Sequence, residues 1–260
     1  CEDCPVGSVP AGELENIVLN QIRFAICTPE MMVRVWREAI KEDHTITEQQ
    51  ANSGLDVMIG GGLSNYYPQT TPGSRRKDDK HILNLLRSKM PVVLSIETLR
   101  KVKAPKQLTA ILSSGHLPPA IKRDYTLGEL TGKALECLTQ NEKGFVLMVE
   151  GSQIDLASHD QDMPRITGEV KDFDTAVKTS LDFAEKDGNT LVVVTADHET
   201  AGITLPMKTI VNDKIVKPTF SSDNHTAAMV PVFAYGPGAE NFAGIQAIDD
   251  VGRKLIELVK

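Results

Sequence analysis

Short apolar runs closed by glycine, or by acids and imidazoles, alternate with segments of helical spacing over most of the chain. Leu55-Asp56-Val57-Met58-Ile59 runs into Gly60-Gly61-Gly62, which predicts a buried strand that turns sharply where a side chain would obstruct the backbone. A polar loop over residues 66–79, with Pro68, Pro72 and Gly73, leads to a helix over 80–89 and a strand over 91–96. Residues 115–124, carrying Pro118-Pro119, read as a surface connection. Leu127, Leu130, Ala134, Leu135 and Leu138 then recur at helical spacing, with Thr126 as N-cap and Cys137 on the apolar side. Phe145-Val146-Leu147-Met148-Val149 and Leu191-Val192-Val193-Val194 predict buried parallel strands. Helices over 170–186 and 249–259 and a strand over 230–235 complete the pattern. This alternation predicts an α/β fold, a three-layer α/β/α sandwich with a mostly parallel sheet, formed by residues 1–260 as one domain. Residues 1–45 are the least legible: Pro5, Pro10 and Pro29 break the pattern, and only Met31 to Ala39 offers a short helix.

Composition narrows the classes. A chain of 260 residues buries roughly 70–75% of its unfolded surface when compact, so a sizeable core is available. The formal charge of −7, with no sustained basic block, excludes an extended nucleic-acid footprint, and Ser74-Arg75-Arg76-Lys77 reads as a solvated loop. No apolar stretch approaches the roughly 20 residues of a membrane span, and the order of charge and apolarity at the start is not that of a signal peptide, so a soluble chain is expected. Cys1-x-x-Cys4 has no second such pair, which favours a local disulfide or free thiols over zinc there.

Three stretches carry chemistry, each just past an apolar run. Asp155 and His159, four apart on a helix beginning after Gly151-Ser152, share one face and offer a carboxylate and an imidazole to one cation. Asp197-His198 ends the strand over 191–196, where open α/β sheets bind ligands, although a capped helix start explains the pair equally well. His225, in Asn224-His225-Thr226, is by itself most simply a surface histidine. Taken together they supply Asp, His and His to one cation and Asp with His to a second, while Glu150 is a hard oxygen donor suited to magnesium. Two zinc ions roughly 4 Å apart would clamp an in-line displacement at phosphorus.

Residues 145–160 (FVLMVEGSQIDLASHD), 190–202 (TLVVVTADHETAG) and 225–240 (HTAAMVPVFAYGPGAE) resemble the alkaline phosphatase family, and residues 51–62 and 114–137 resemble it too, so the likeness runs roughly from 46 to 260. The resemblance implies hydrolysis of small phosphate monoesters through a phosphoserine intermediate, with zinc and magnesium as cofactors and an arginine on the phosphate oxygens. It implies Asp155, His159 and His225 in a first zinc site, Asp197 and His198 in a second, and Glu150 and Thr28, within a Thr28-Pro29 segment, at magnesium. Arg34 or Arg37 would be the phosphate-binding arginine. It also implies a periplasmic or extracellular location and leaves a homodimer open.

The chain departs from the family at its start. The family's metal-bridging Asp and its Asp-Ser nucleophile are not recognisable, Ile26 stands where an acid or histidine is usual, and Asp197 with His198 alone leaves the second site under-ligated. The N-terminal part is therefore expected to be truncated or divergent. Besides a phosphomonoesterase, the sequence accommodates a zinc- or phosphate-binding relative lacking the serine nucleophile, and a phosphodiesterase or sulfatase built on the same sheet.

Overall fold

The computed structural model describes residues 51–52, 54–206, 210–211, 214–215 and 218–258. The chain forms two compact units, one including Ser64–Leu85 and the other including Leu55–Leu63 and the residues from Leu86 onward.

Within the first unit the loop over 64–81 is organised by one buried cation. Arg76 lays its guanidinium fork on Asp78 at 2.7 and 2.6 Å and donates to the Asn65 carbonyl at 3.3 Å. Arg76 is 4% exposed and so departs from the solvated loop its polarity suggests, while Arg75 and Lys77 on either side of it are exposed. A carboxylate in bidentate geometry offsets the cost of taking a guanidinium out of water, and Asp78 stands two residues away to do so. The next helix, α1 (Ile82–Lys89), begins beside His81, whose Nδ1 accepts from the Asn84 amide at 3.3 Å.

The second unit is built on a parallel sheet in the order β1 (Val57–Gly60), β3 (Leu108–Ile111), β2 (Val92–Val93). The central strand β3 is buried at every position, as expected of a strand covered on both faces. Its run, Leu108-Thr109-Ala110-Ile111, lies between Pro105 and Ser113-Ser114-Gly115, and sequence reading passed over it. The expected strand over 91–96 is real but short: β2 stops at Val93 and Ile96 already begins α2 (Ile96–Lys101), capped by the Ser95 hydroxyl on the Thr98 amide. Leu99, Leu108, Ala110, Leu130 and Cys137 form the buried cluster behind the sheet. The glycine turn after β1 lies against the end of β3, where Gly62 donates to the Gly115 carbonyl at 2.7 Å and a Cβ on Gly61 would collide with that same carbonyl.

Of two long helices that follow, the first packs on β1 and the second packs on the first. Helix α3 (Leu127–Leu138) starts at Thr126, whose side chain accepts from the Glu129 amide, as its sequence predicts. Helix α5 (Met163–Asp187) begins at Asp162, earlier than its apolar spacing suggests, and ends on left-handed Gly188. The two helices approach closely: Gly128 donates to the Thr175 hydroxyl at 3.0 Å, and a Cβ on Gly128 would come within 2.7 Å of Thr175. Their junction is pinned by Asp172, which is buried, accepts from the Leu127 amide at 3.1 Å and is paired with the buried Arg123 guanidinium.

Beyond α5 the strands are small antiparallel pairs. Strand β4 (Val192–Val194) pairs antiparallel with β11 (Phe233–Tyr235), which corrects the parallel assignment made from its apolar run. β5 (Glu199–Thr200) pairs with β10 (His225–Thr226), β6 (Ile203–Thr204) with β9 (Thr219–Phe220), and β7 (Ile210–Val211) with β8 (Lys214–Ile215). Phe145–Val149 is not a strand: it has no ladder partner among the described residues, and Val146 and Met148 are 71% and 84% exposed. Its apolar period meets the pattern of a strand, but a strand also needs a neighbour to take its hydrogen bonds. The final helix, α6 (Ile248–Leu258), lies where its spacing predicts.

Candidate metal centre

Helix α4 (Gln153–His159) places Asp155 and His159 one turn apart on one face, His159 being its last residue. The chain then reverses through Gln161, which adopts a positive φ of 52°, into the Asp162 cap of α5. Arg165 braces the reversal from α5, donating to Asp160 at 2.7 Å and to Gln153 at 2.6 Å. The segment that brings His225 is tied to the same helix end. His159 Nδ1 lies 2.7 Å from the Asp223 carbonyl and Gln161 donates to the Ser222 carbonyl at 3.0 Å.

His225 therefore sits on β10, opposite Thr200 of β5, and is not the loop histidine that its polar surroundings suggest. The turn leaving β5 is an unusual one. Ala201 is fully buried with a φ of 75°, a conformation that costs about 1 kcal/mol or more for a residue with a Cβ and persists only when its surroundings hold it. Glu199 does this by accepting from the Gly202 and Ile203 amides at 3.1 and 3.3 Å and, through a short bond, from the Thr226 hydroxyl. Burial pushes the Glu199 carboxyl upward, but those hydrogen bonds outweigh it and hold the group below the usual carboxylate range. One carboxylate thus closes the turn and fixes β10 against β5.

Three donor groups converge as a result. His159 Nε2 is 3.4 Å from Asp155 Oδ2, His225 Nε2 is 3.6 Å from Asp155 Oδ1, and the two Nε2 atoms are 3.2 Å apart. A tetrahedral ion with bonds of about 2.0–2.1 Å holds its ligands about 3.3–3.4 Å apart, so this triad has the spacing of three corners of such a site. The proton count agrees. A carbonyl only accepts, so the contact to Asp223 places the His159 proton on Nδ1 and leaves the Nε2 lone pair turned toward Asp155 and His225. Among the described residues these three form the group of acids and imidazoles close enough to share an ion.

The second predicted pair lies beside the first. The His198 ring stacks on His225 with centroids 3.5 Å apart, and its Nε2 is 3.3 Å from Asp197 Oδ2. Asp197 and His198 follow β4 in a turn that enters β5, so the helix start that could have explained them is not there. The Asp197 side chain is 83% exposed and curls back to accept from the His198 amide at 3.1 Å. Glu150 is exposed and stands outside the triad. Thr28, Arg34 and Arg37 lie outside the described residues. Sequence reading missed Thr200 and Glu199, although both stand in the polar stretch that closes the apolar run of β4.

Beyond its sheet the chain gathers a carboxylate and two imidazoles in an arrangement that could hold a metal ion. The alkaline phosphatase family model matches residues 31–216. Alkaline phosphatase 4 of Bacillus subtilis is 30% identical over 79% of this chain and 58% of its own length, and the Escherichia coli alkaline phosphatase is 31% identical over 77% and 52%. The solved alkaline phosphatase from the Antarctic bacterium TAB5 superposes with a TM-score of 0.73 at 33% identity, covering 83% of this chain and 64% of that one, and a variant of it is described with magnesium bound. The chain belongs to the alkaline phosphatase family. It spans about half to three-fifths of the length of the curated relatives it matches. His225 lies beyond the stretch matched by the family model, so its membership of the triad rests on the β5–β10 pairing.

Proposed function

We propose that the chain hydrolyses phosphate monoesters in the manner of its family, with Asp155, His159 and His225 holding one zinc ion and Asp197 and His198 contributing to a second. The observation that carries this reading is the triad's spacing of 3.2–3.6 Å. Bound divalent ions supply Lewis acidity and a hydroxide available near neutral pH. The chain's own residues set the stage for that chemistry. Asp223 fixes the His159 tautomer, Glu199 holds the turn that delivers His225, and α4 keeps Asp155 and His159 on one face. In the same reading Glu150 and Thr28 serve magnesium, Arg34 or Arg37 grips phosphate, and the protein acts in the periplasm or outside the cell, with a homodimer left open.

A second reading is favoured by one feature of the sequence: the 260 residues contain no Asp-Ser dipeptide of the kind that bears the family's nucleophile. In that reading the chain binds zinc and phosphate without turning substrate over. Both are tested on one sample by measuring zinc content together with turnover of a chromogenic phosphate monoester at alkaline pH. The hydrolase reading expects stoichiometric zinc with turnover, and loss of both in Asp155→Ala and His159→Ala. Zinc with no turnover selects the binder, and full zinc retention by Asp155→Ala overturns the site assignment. Faster cleavage of a diester or a sulfate ester than of the monoester would move the activity to a related class.

A further inference from the structure

We propose that Thr200 is the positioning residue that couples the two donor sets, by relaying a fixed chain of protons from His198 to Asp155. The inference rests on the metal-site reading above and concerns a residue to which that reading gives no role. Thr200 is 9% exposed, and its hydroxyl oxygen lies 2.6 Å from Asp155 Oδ1 and 3.1 Å from His198 Nδ1. A hydroxyl has one proton. A carboxylate oxygen can only accept it, so that proton points at Asp155 and the remaining contact requires His198 Nδ1 to be the donor. The order of donation is thereby set: His198 Nδ1–H to Thr200, and Thr200 O–H to Asp155.

Two consequences follow for the donor atoms. His198 is held with its proton on Nδ1, which leaves the Nε2 lone pair on the side of Asp197. Asp155 has Oδ1 engaged and its plane fixed, with Oδ2 facing His159. Thr200 is also the residue directly opposite His225 in the β5–β10 pair. One small side chain therefore contacts Asp155 and His198 and stands in register with His225, three of the five donors, and disturbance of either donor set is transmitted to the other through it. Burial of a hydroxyl with both its donor and acceptor capacities used is what such a relay requires, because an unmatched buried group would cost about 1–3 kcal/mol.

The test compares Thr200→Val, which keeps the branched shape of the strand residue and removes the hydroxyl, with Thr200→Ser, which keeps the hydroxyl. Metal-stripped protein is titrated with Zn2+ against a chromogenic chelator, and the His198 ring nitrogens are followed by NMR on the metal-free chain at alkaline pH. The parent is expected to show His198 protonated on Nδ1. Thr200→Val should release that tautomer and weaken zinc binding by about 10–100-fold, the range for loss of a group that orients a ligand. Thr200→Ser should restore both. His198→Ala should weaken the Asp155 site less in Thr200→Val than in the parent background, the non-additivity expected of a coupled pair, with the remaining effect carried by the His198 ring stacked on His225. Equal zinc affinity in the parent and Thr200→Val, or a parent His198 protonated on Nε2, overturns the relay while leaving the metal site standing. A parent that takes up no zinc overturns the metal reading and the relay with it, which distinguishes the two failures. Thermal unfolding of the metal-free proteins checks that Thr200→Val folds as the parent does, and the His198 tautomer of the parent carries the test if it does not.

Discussion

The parallel sheet with helices α3 and α5, and the antiparallel pairs that carry the candidate metal centre, are held together by different means. Around β3 every strand residue is buried, and the Arg123 guanidinium taken inside is paired with Asp172 through one of its amino groups while its Nε has no hydrogen-bond partner. Around β5 and β10 the ladder is two residues long, and in the β4–β11 pair Phe233 is 64% exposed and an apolar groove of about 460 Å³ lies open against α5, lined by Phe173, Val177, Leu181, Val192 and Phe233. What fixes the second region is a set of side-chain to backbone bonds: Glu199 to the turn, His159 to the Asp223 carbonyl, Gln161 to the Ser222 carbonyl. The contrast teaches that burial holds the scaffold, whereas directed hydrogen bonds from a few side chains hold the centre.

The largest effect should come from breaking a buried pair in the scaffold. Asp172→Ala leaves the Arg123 guanidinium buried without its carboxylate and frees the Leu127 amide, so urea denaturation should show a loss of about 3–5 kcal/mol. Neutralisation at the centre, Asp155→Asn in the metal-free protein, keeps an oxygen for the Thr200 hydroxyl and should stay within about 0.5 kcal/mol, because that carboxylate is partly exposed and faces two imidazoles. Equal losses at the two positions would erase the distinction.

An intermediate effect should come from zinc itself. An ion that binds only the folded chain stabilises it by about 2.7 kcal/mol when free ion stands at 100 times its dissociation constant. The parent is therefore expected to gain about that amount on zinc addition, and His225→Ala, which removes one of the three convergent donors, should gain little at the same concentration. Thermal unfolding with and without zinc reads both. A parent curve that zinc does not move would mean that the centre is as complete without an ion as the sheet is.

The same contrast governs how much could be read in the sequence. Letters and spacing sufficed for Thr126 as the cap of α3, for Cys137 buried on the predicted side, and for a strand before Gly60-Gly61-Gly62, although that strand is half-buried and not buried as expected. Asp155 and His159 were legible because a helix converts a spacing of four into one face. The misses share a cause. Whether Val192–Val194 pairs parallel or antiparallel, whether Phe145–Val149 finds a partner at all, and whether Arg76 meets Asp78 depend on neighbours that no local period encodes. His225 was visible only as one histidine in a polar stretch, since what makes it a donor is the register that sets it opposite Thr200. Thr200 and Glu199 looked like ordinary polar residues because their roles lie in proton directions and turn geometry.

The smallest expected effect separates two helix starts that look alike in sequence. Thr126 before α3 and Ser152 before α4 are both hydroxyl residues at the N-cap, yet Thr126 is in extended conformation and accepts from the Glu129 amide, while Ser152 is already helical in its own dihedrals and makes no side-chain capping bond. A cap contributes only when its oxygen satisfies one of the first amides, so Thr126→Ala should cost about 1 kcal/mol and Ser152→Ala close to nothing. Helix α4 is instead held from its far end and from α5, through Arg165 on Gln153 and Asp160 and through His159 on the Asp223 carbonyl. Urea titrations of the two alanine variants would decide the matter. A cost at Ser152 matching that at Thr126 would mean that the helix bearing Asp155 and His159 is anchored as the scaffold helices are, by its own start, and not by the residues that converge on the centre.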